Sequence, residues 1–202
     1  MNLACIGCIS RYQIFSFLFI KMVKPDKIIR ALAGSYSMVN TTRYPSRSLH
    51  LTCSNSNIFS WRNGIEDPNP MGLGAGGIIT YTTWGYMSAN MAAKDPAMRP
   101  TSISWAPKPN DSDADWALVG KHALSYAGPF RLNESVPATE TEGQLLHGPI
   151  VVASVPLMEG VTFVRNYTVF KRDDDTYFRV SSRNAAGDFY AEIWWKRLED
   201  AS

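Results

Sequence analysis

Gly76-Gly77-Ile78-Ile79-Thr80-Tyr81-Thr82-Thr83-Trp84-Gly85-Tyr86-Met87-Ser88-Ala89-Asn90-Met91 is the stretch on which the fold turns. Two runs of β-branched, aromatic and apolar residues flank Thr83-Trp84-Gly85, a break whose glycine suits a tight turn. Side chains alternate across a strand, so Ile79 and Tyr81 share one face while Ile78, Thr80 and Thr82 share the other. Beyond the turn, Met87, Ala89 and Met91 alternate with Tyr86, Ser88 and Asn90. Both faces therefore mix apolar groups with small polar ones. A sandwich with one face in water would separate them more cleanly; a barrel with a partly polar lumen has this mixture.

Working outward from that hairpin, 202 residues suffice for one domain with a sizeable core. Hydrophobic residues make up 45% and charged residues 19%, ordinary globular values that argue against disorder. Aromatics at 12% favour strands, stacking surfaces or an apolar ligand pocket. A net charge of +2 without a basic run argues against a nucleic-acid partner. Cys5, Cys8 and Cys53 are the 3 cysteines, an odd set that builds neither a disulfide framework nor a zinc cluster. Cys5-x-x-Cys8 stands alone and is read as incidental. The chain reads as reduced and cytoplasmic.

On the N-terminal side, Ile14 to Ile20 has the look of a signal-peptide core, but Lys21-Met22-Val23-Lys24 follows where small residues would mark cleavage. The run is too short to span a bilayer. Residues 1–21 are expected to be an extension outside the fold, and 22–202 the barrel domain; a targeting role for the extension is the alternative. Asp26 to Leu32 reads as a short helix with Asp26 as N-cap, and Gly34 to Thr42 as a strand. Residues 45–63, rich in serine and asparagine, show no sustained period and read as an irregular insertion or a cavity lid.

On the C-terminal side, Lys94 to Pro109 reads as a proline-broken loop. Asn110 to Asp115 supplies a cap and acidic groups for a helix dipole, predicting a helix over about 111–126 with Trp116, Val119, Ala123 and Tyr126 at helical spacing. The acidic cluster lacks the glycine and terminal glutamate of a calcium loop. Strands follow at Phe130-Arg131-Leu132 and at Gln144 to Val155, the latter kinked at Gly148-Pro149. Further strands read at Val161 to Phe170, Tyr177 to Ser182 and Phe189 to Leu198, with turns at Asp173 to Asp175 and Asn184 to Asp188. The sum is a mainly β chain: a single antiparallel barrel of about eight strands with one main helix.

Gly34-Ser35-Tyr36, Gly77 to Thr82 with Gly85 to Ala89, Tyr126-Ala127-Gly128-Pro129-Phe130, His147, Arg165 and the closing Trp194-Trp195-Lys196-Arg197 fall in an order that resembles the lipocalin-like domain family. The resemblance spans about residues 30–198 apart from 45–63. Tyr36 stands where the wider lipocalin pattern prefers tryptophan. The resemblance implies small bacterial and fungal barrel proteins, often encoded near secondary-metabolite genes. It also implies that the first-strand aromatic packs at the closed end against an arginine of the last strand. Carried over, Tyr36 stacks on Arg197 beside Gly34 in a structural role, a cation–π contact of about 0.5–2 kcal/mol.

His50, His122 and His147 are not spaced as a metal set, and no phosphate loop, dinucleotide fingerprint or serine-nucleophile elbow occurs; no metal or cofactor is expected. The glycine-rich run Gly72 to Gly77 precedes a strand and reads as barrel rim. On the predicted helix His122 lies one turn before Tyr126. His147 sits on a strand, and Arg165 alternates with Phe163 and Tyr167. If His147, Tyr126 and Arg165 share the lumen, the arginine among aromatics suits an enolate or carboxylate, and the histidine or tyrosine moves protons. These three are the catalytic candidates. Tyr81, Met87, Phe163, Tyr167 and Trp195 are the ligand-binding candidates.

The competing structural reading has His122 solvated, His147 a satisfied barrel histidine and Arg165 paired with a carboxylate. The functional expectation is a cofactor-free cyclase or isomerase acting on an apolar polyketide- or terpenoid-like intermediate. A non-catalytic carrier of such a metabolite is the alternative, and a packed barrel acting through its outer surface is a third reading. A small-molecule partner is expected, with a homodimer as a further option and no nucleic acid or membrane span.

Overall fold

A computed structural model describes residues 24–39, 58–66, 68–69, 71–72 and 74–199. Residues 1–21, the three cysteines, His50 and residues 45–57 lie outside the described residues.

The first element of the described residues is helix α1 (Pro25–Leu32), capped at Lys24 rather than at Asp26. The reason is Pro25: its fixed φ and missing N–H suit the first helical position, which moves the cap two residues earlier and leaves Asp26 in the first turn facing the positive dipole end. Ile28 and Leu32 are buried, one turn apart on the face that packs against the barrel. Strand β1 (Gly34–Met38) follows at once.

Part of the segment read as irregular is ordered: Ile58–Arg62 is strand β2, which turns through Asn63 and Gly64 into β3 (Ile65–Glu66). Both turn residues have positive φ, 51° and 78°, as a two-residue type I′ hairpin requires. The hairpin expected from the opening stretch comprises β4 (Gly76–Tyr81) and β5 (Tyr86–Ala92), in register from Gly76 opposite Ala92 to Tyr81 opposite Met87.

Helix α2 (Asp113–Lys121) is capped by Ser112, whose hydroxyl accepts from the Asp115 amide. It stops at Lys121, five residues short of Tyr126. Residues Ala123–Leu132 instead form β6, paired with β5 from Ala92 opposite Ala123 to Tyr86 opposite Pro129. Tyr126, Gly128, Phe130 and Leu132 are buried at every second position, so period two overrides the chance helical spacing of Ala123 and Tyr126. His122 consequently closes α2 and does not share a face with Tyr126.

The remaining strands are β7 (Glu142–His147), β8 (Val152–Ala153), β9 (Phe163–Arg172), β10 (Asp175–Arg183) and β11 (Phe189–Arg197). Strands β7 and β8 lie one after the other along β6, and the chain bends between them at Gly148-Pro149. A Cβ on Gly148 would strike the Val161 carbonyl, so the bend admits only glycine there.

The ring runs β1-β4-β5-β6-β7-β9-β10-β11 and closes where Tyr36 pairs with Arg197 and Met38 with Trp195. This is a closed antiparallel eight-stranded barrel with two helices, mostly β. The β2–β3 hairpin extends β11 beyond the point where β1 ends. Pairing registers set Tyr36, Ile79, Tyr81, Met87, Ala89 and Tyr126 inward with Phe130, His147, Tyr167, Phe178 and Trp195, all of them buried. Within this core Phe178 lies 5.1 Å from Tyr36 and 5.5 Å from Tyr81, ring centroid to centroid, contacts worth about 0.5–1.5 kcal/mol each beyond their burial. No helix among the described residues is long and apolar enough to cross a membrane.

Candidate functional site

Among the described residues one histidine is fully buried, and it anchors the interior. His147 ends β7 opposite Phe130 on β6 and Phe163 on β9, and none of its surface is exposed. Its Nε2 lies 3.0 Å from the hydroxyl of Tyr81, itself fully buried at the end of β4. Its Nδ1 has no hydrogen-bond partner. The rings of Phe130 and Phe178 close around Tyr81 edge to face, at 4.9 and 5.5 Å. Burial, reinforced by the charge of Arg165, drives the His147 pKa down to about 3, so its imidazole is neutral at physiological pH.

Tyr126 stands next to this pair, its ring 6.5 Å from His147 and 6.3 Å from Phe163. Burial raises its pKa, and the charge and hydrogen bond of Arg165 only partly oppose that rise. Arg165 lies on β9 opposite Leu145, half-buried, with its guanidinium 4.9 Å over the Phe163 ring and donating to the Val164 carbonyl. The fold thus brings together His147, Tyr126 and Arg165, three side chains from three strands, with Tyr81 and Phe163 from the expected ligand-binding set. Tyr81 is held far more strongly in its protonated form, first by burial and then by the neighbouring Tyr126 and Tyr36.

The other expected residues occupy different places in the same interior. Met87 is buried opposite Tyr81 and Gly128. Trp195 is buried opposite Met38 and Phe178, and its Nε1 has no partner. Tyr167 is committed elsewhere: its hydroxyl donates to the Thr139 carbonyl at 2.6 Å, and its ring edge packs where a Cβ on Gly143 would fall.

Gly34, Tyr36 and Arg197 form the end of the barrel under α1. The Arg197 guanidinium lies 5.6 Å from the Tyr36 ring and donates to the carbonyls of Ala31 and Ala33, while the Tyr36 hydroxyl donates to Leu32. These bonds take up carbonyls that the end of a helix leaves without intrahelical donors. Phe130, Phe178 and Leu145 line the interior but were not among the expected site residues; their signal was strand alternation, which marks a face without saying which face is inside.

Among the described residues, no group of three or more His, Cys, Asp and Glu side chains is placed to hold a metal ion. The buried carboxylate Glu192 faces outward, accepting from Tyr190 at 2.7 Å and from Trp194 Nε1 at 3.0 Å. Among the described residues, the buried side-chain polar atoms without a partner are His147 Nδ1 and Trp195 Nε1, while Tyr126 and Arg165 bond each other in otherwise apolar surroundings. Such a site can grip an oxygen and polarise it.

No curated protein and no solved structure matches the chain. The profile of one protein family, described as a lipocalin-like domain, matches residues 56–198, from the β2 hairpin to the end of the barrel. With this match over well over half its length, the chain belongs to the lipocalin-like domain family, whose barrel points to the binding of a small molecule.

Proposed function

We propose that the barrel takes up an apolar metabolite and cyclises or isomerises it without a cofactor, through Tyr126 and Arg165. The observation that supports this is the Tyr126–Arg165 contact beside neutral His147 in an interior otherwise lined by aromatic and aliphatic groups. Burial keeps the Tyr126 phenol protonated, so it can donate to a carbonyl oxygen of the bound molecule. The guanidinium against the same hydroxyl favours negative charge wherever it develops on the oxygen pair. In the step proposed, Tyr126 gives its proton to the substrate oxygen as the new bond or double bond forms. Its phenolate, held beside Arg165, then takes a proton back from the substrate. Protons balance over the cycle and no electrons are exchanged.

His147 supplies a fixed, neutral hydrogen bond instead of a proton shuttle, because its Nε2 is already engaged and its pKa lies near 3. The same fact favours a second reading: burial moves the pKa values of His147, Tyr126 and Tyr81 away from neutrality, as a non-catalytic carrier of the same metabolite would permit.

Native mass spectrometry of the protein from its own producing cells, beside metabolite profiling of a deletion strain, separates the readings. A bound apolar metabolite, with a shunt isomer accumulating in the deletion strain and in Tyr126→Phe, supports the enzyme. A bound metabolite with an unchanged product pattern supports the carrier. An empty barrel and an unchanged profile refute both.

A further inference from the structure

Among the described residues, two buried nitrogens of the interior, His147 Nδ1 and Trp195 Nε1, have no partner. What the first of them can bond is set by its neighbour across the barrel. Among the described residues the Tyr81 hydroxyl makes one hydrogen bond, to His147 Nε2. A neutral imidazole carries one N–H, so two arrangements are available. If Nε2–H donated to Tyr81, the hydroxyl hydrogen of Tyr81 and the lone pair of Nδ1 would both be buried without partners. If Tyr81 donates to Nε2, its hydrogen is satisfied and the free position becomes Nδ1–H. Each arrangement leaves one donor and one acceptor unpaired, but the second joins the better donor, a phenol O–H, to the better acceptor, an imidazole nitrogen, and so makes the stronger hydrogen bond.

The remaining polar groups of the interior extend the pattern. The Tyr36 and Tyr167 hydroxyls are engaged by the Leu32 and Thr139 carbonyls. Trp195 Nε1 is a donor by its chemistry, and among the described residues the one buried carboxylate, Glu192, faces outward. Among the described residues, the interior thus holds these two unpartnered nitrogens and no buried carboxylate.

We infer that Tyr81 is a positioning residue that fixes His147 as an Nδ1–H donor and thereby makes the barrel select molecules presenting an acceptor oxygen, such as a ketone, ester or lactone carbonyl. The inference rests on the small-molecule reading proposed above for its selectivity, though not for the tautomer.

The tautomer is read directly from long-range 1H–15N correlation spectra of histidine-labelled protein, with His147 assigned by its loss in His147→Phe. The expected wild-type pattern is neutral imidazole with the hydrogen on Nδ1; a hydrogen on Nε2 would overturn the role given to Tyr81. In Tyr81→Phe the expected pattern is a mixture of tautomers, and an unchanged Nδ1–H spectrum in a folded variant would count equally against it. Selectivity is measured with 2-acetonaphthone against 2-isopropylnaphthalene, a ketone and a hydrocarbon of similar shape. The ketone should bind about tenfold more tightly to the wild type, the worth of one buried hydrogen bond. That advantage should vanish in His147→Phe with hydrocarbon affinity retained. Equal affinities in the wild type refute the selectivity, whereas binding of neither probe removes the small-molecule reading itself. The tautomer spectrum decides the Tyr81 role in either case.

Discussion

Replacing Arg197 by leucine removes the clasp between the last strand and the end of α1. The guanidinium donates to two carbonyls, Ala31 and Ala33, and lies 5.6 Å from the Tyr36 ring. Two hydrogen bonds from a half-exposed cation contribute about 1 kcal/mol each after solvent screening, and the cation–π contact about 1 kcal/mol more. The variant should therefore lose about 3 kcal/mol, or about 6–12 °C in Tm for a domain of this size. Gly34 supplies an internal control. Its φ of +143° and the approach of its Cβ position to within 2.9 Å of Arg197 Nη2 make Gly34→Ala costly in the presence of the arginine. With Arg197 gone, the steric part of that cost disappears while the backbone part remains. The double variant should then be more stable than the sum of the singles by about 1 kcal/mol or more. Urea unfolding at constant m is the assay. A loss below about 1 kcal/mol for Arg197→Leu, or strict additivity with Gly34→Ala, would refute the clasp.

Two more perturbations test the buried polar groups. His147 has a folded pKa of about 3 against 6.5 for the free side chain, so between these values the unfolded chain binds the extra proton. Stability should be fully retained above pH 6.5 and fall as pH drops towards 3, by at most about 1.4 kcal/mol per pH unit from this residue. In His147→Phe that component should be absent, and parallel stability–pH curves for the two proteins would sink the assignment. On the outer face, Glu192→Ala strips the acceptor from the Tyr190 hydroxyl and the Trp194 indole. It should cost about 2–4 kcal/mol in chemical denaturation, and bring the Tyr190 pKa down from about 12 in a spectrophotometric titration.

Much of the barrel can be read in the chain because strand signals are local. The Gly76 to Met91 alternation and the Asp173 and Asn184 turns mark strands and hairpins at their observed places. The misreadings are local too. Trp61-Arg62-Asn63-Gly64-Ile65 carries the strongest short hairpin signal, Asn-Gly between β-forming residues, yet its strands are only five and two residues long. The sequence extends the helix to Tyr126 because Ala123 and Tyr126 satisfy period three as well as Tyr126 and Phe130 satisfy period two; pairing with β5 decides between them.

The candidate site shows the same division. Sequence alone determined the residue types: a strand histidine, an arginine between aromatics, a tyrosine near Gly128-Pro129, and an arginine at the end of the last strand. Only the closed ring decided what they do to one another. Tyr81 and His147 are 66 residues apart in the chain and 3.0 Å apart in the barrel. Alternation specifies that a side chain is on one face of its strand, but the sign of that face, and the depth and partner it acquires, are properties of the register around the whole barrel. Burial depth and neighbouring groups in turn set protonation and tautomer, which is why the chemistry of His147 becomes visible only when the sheet closes.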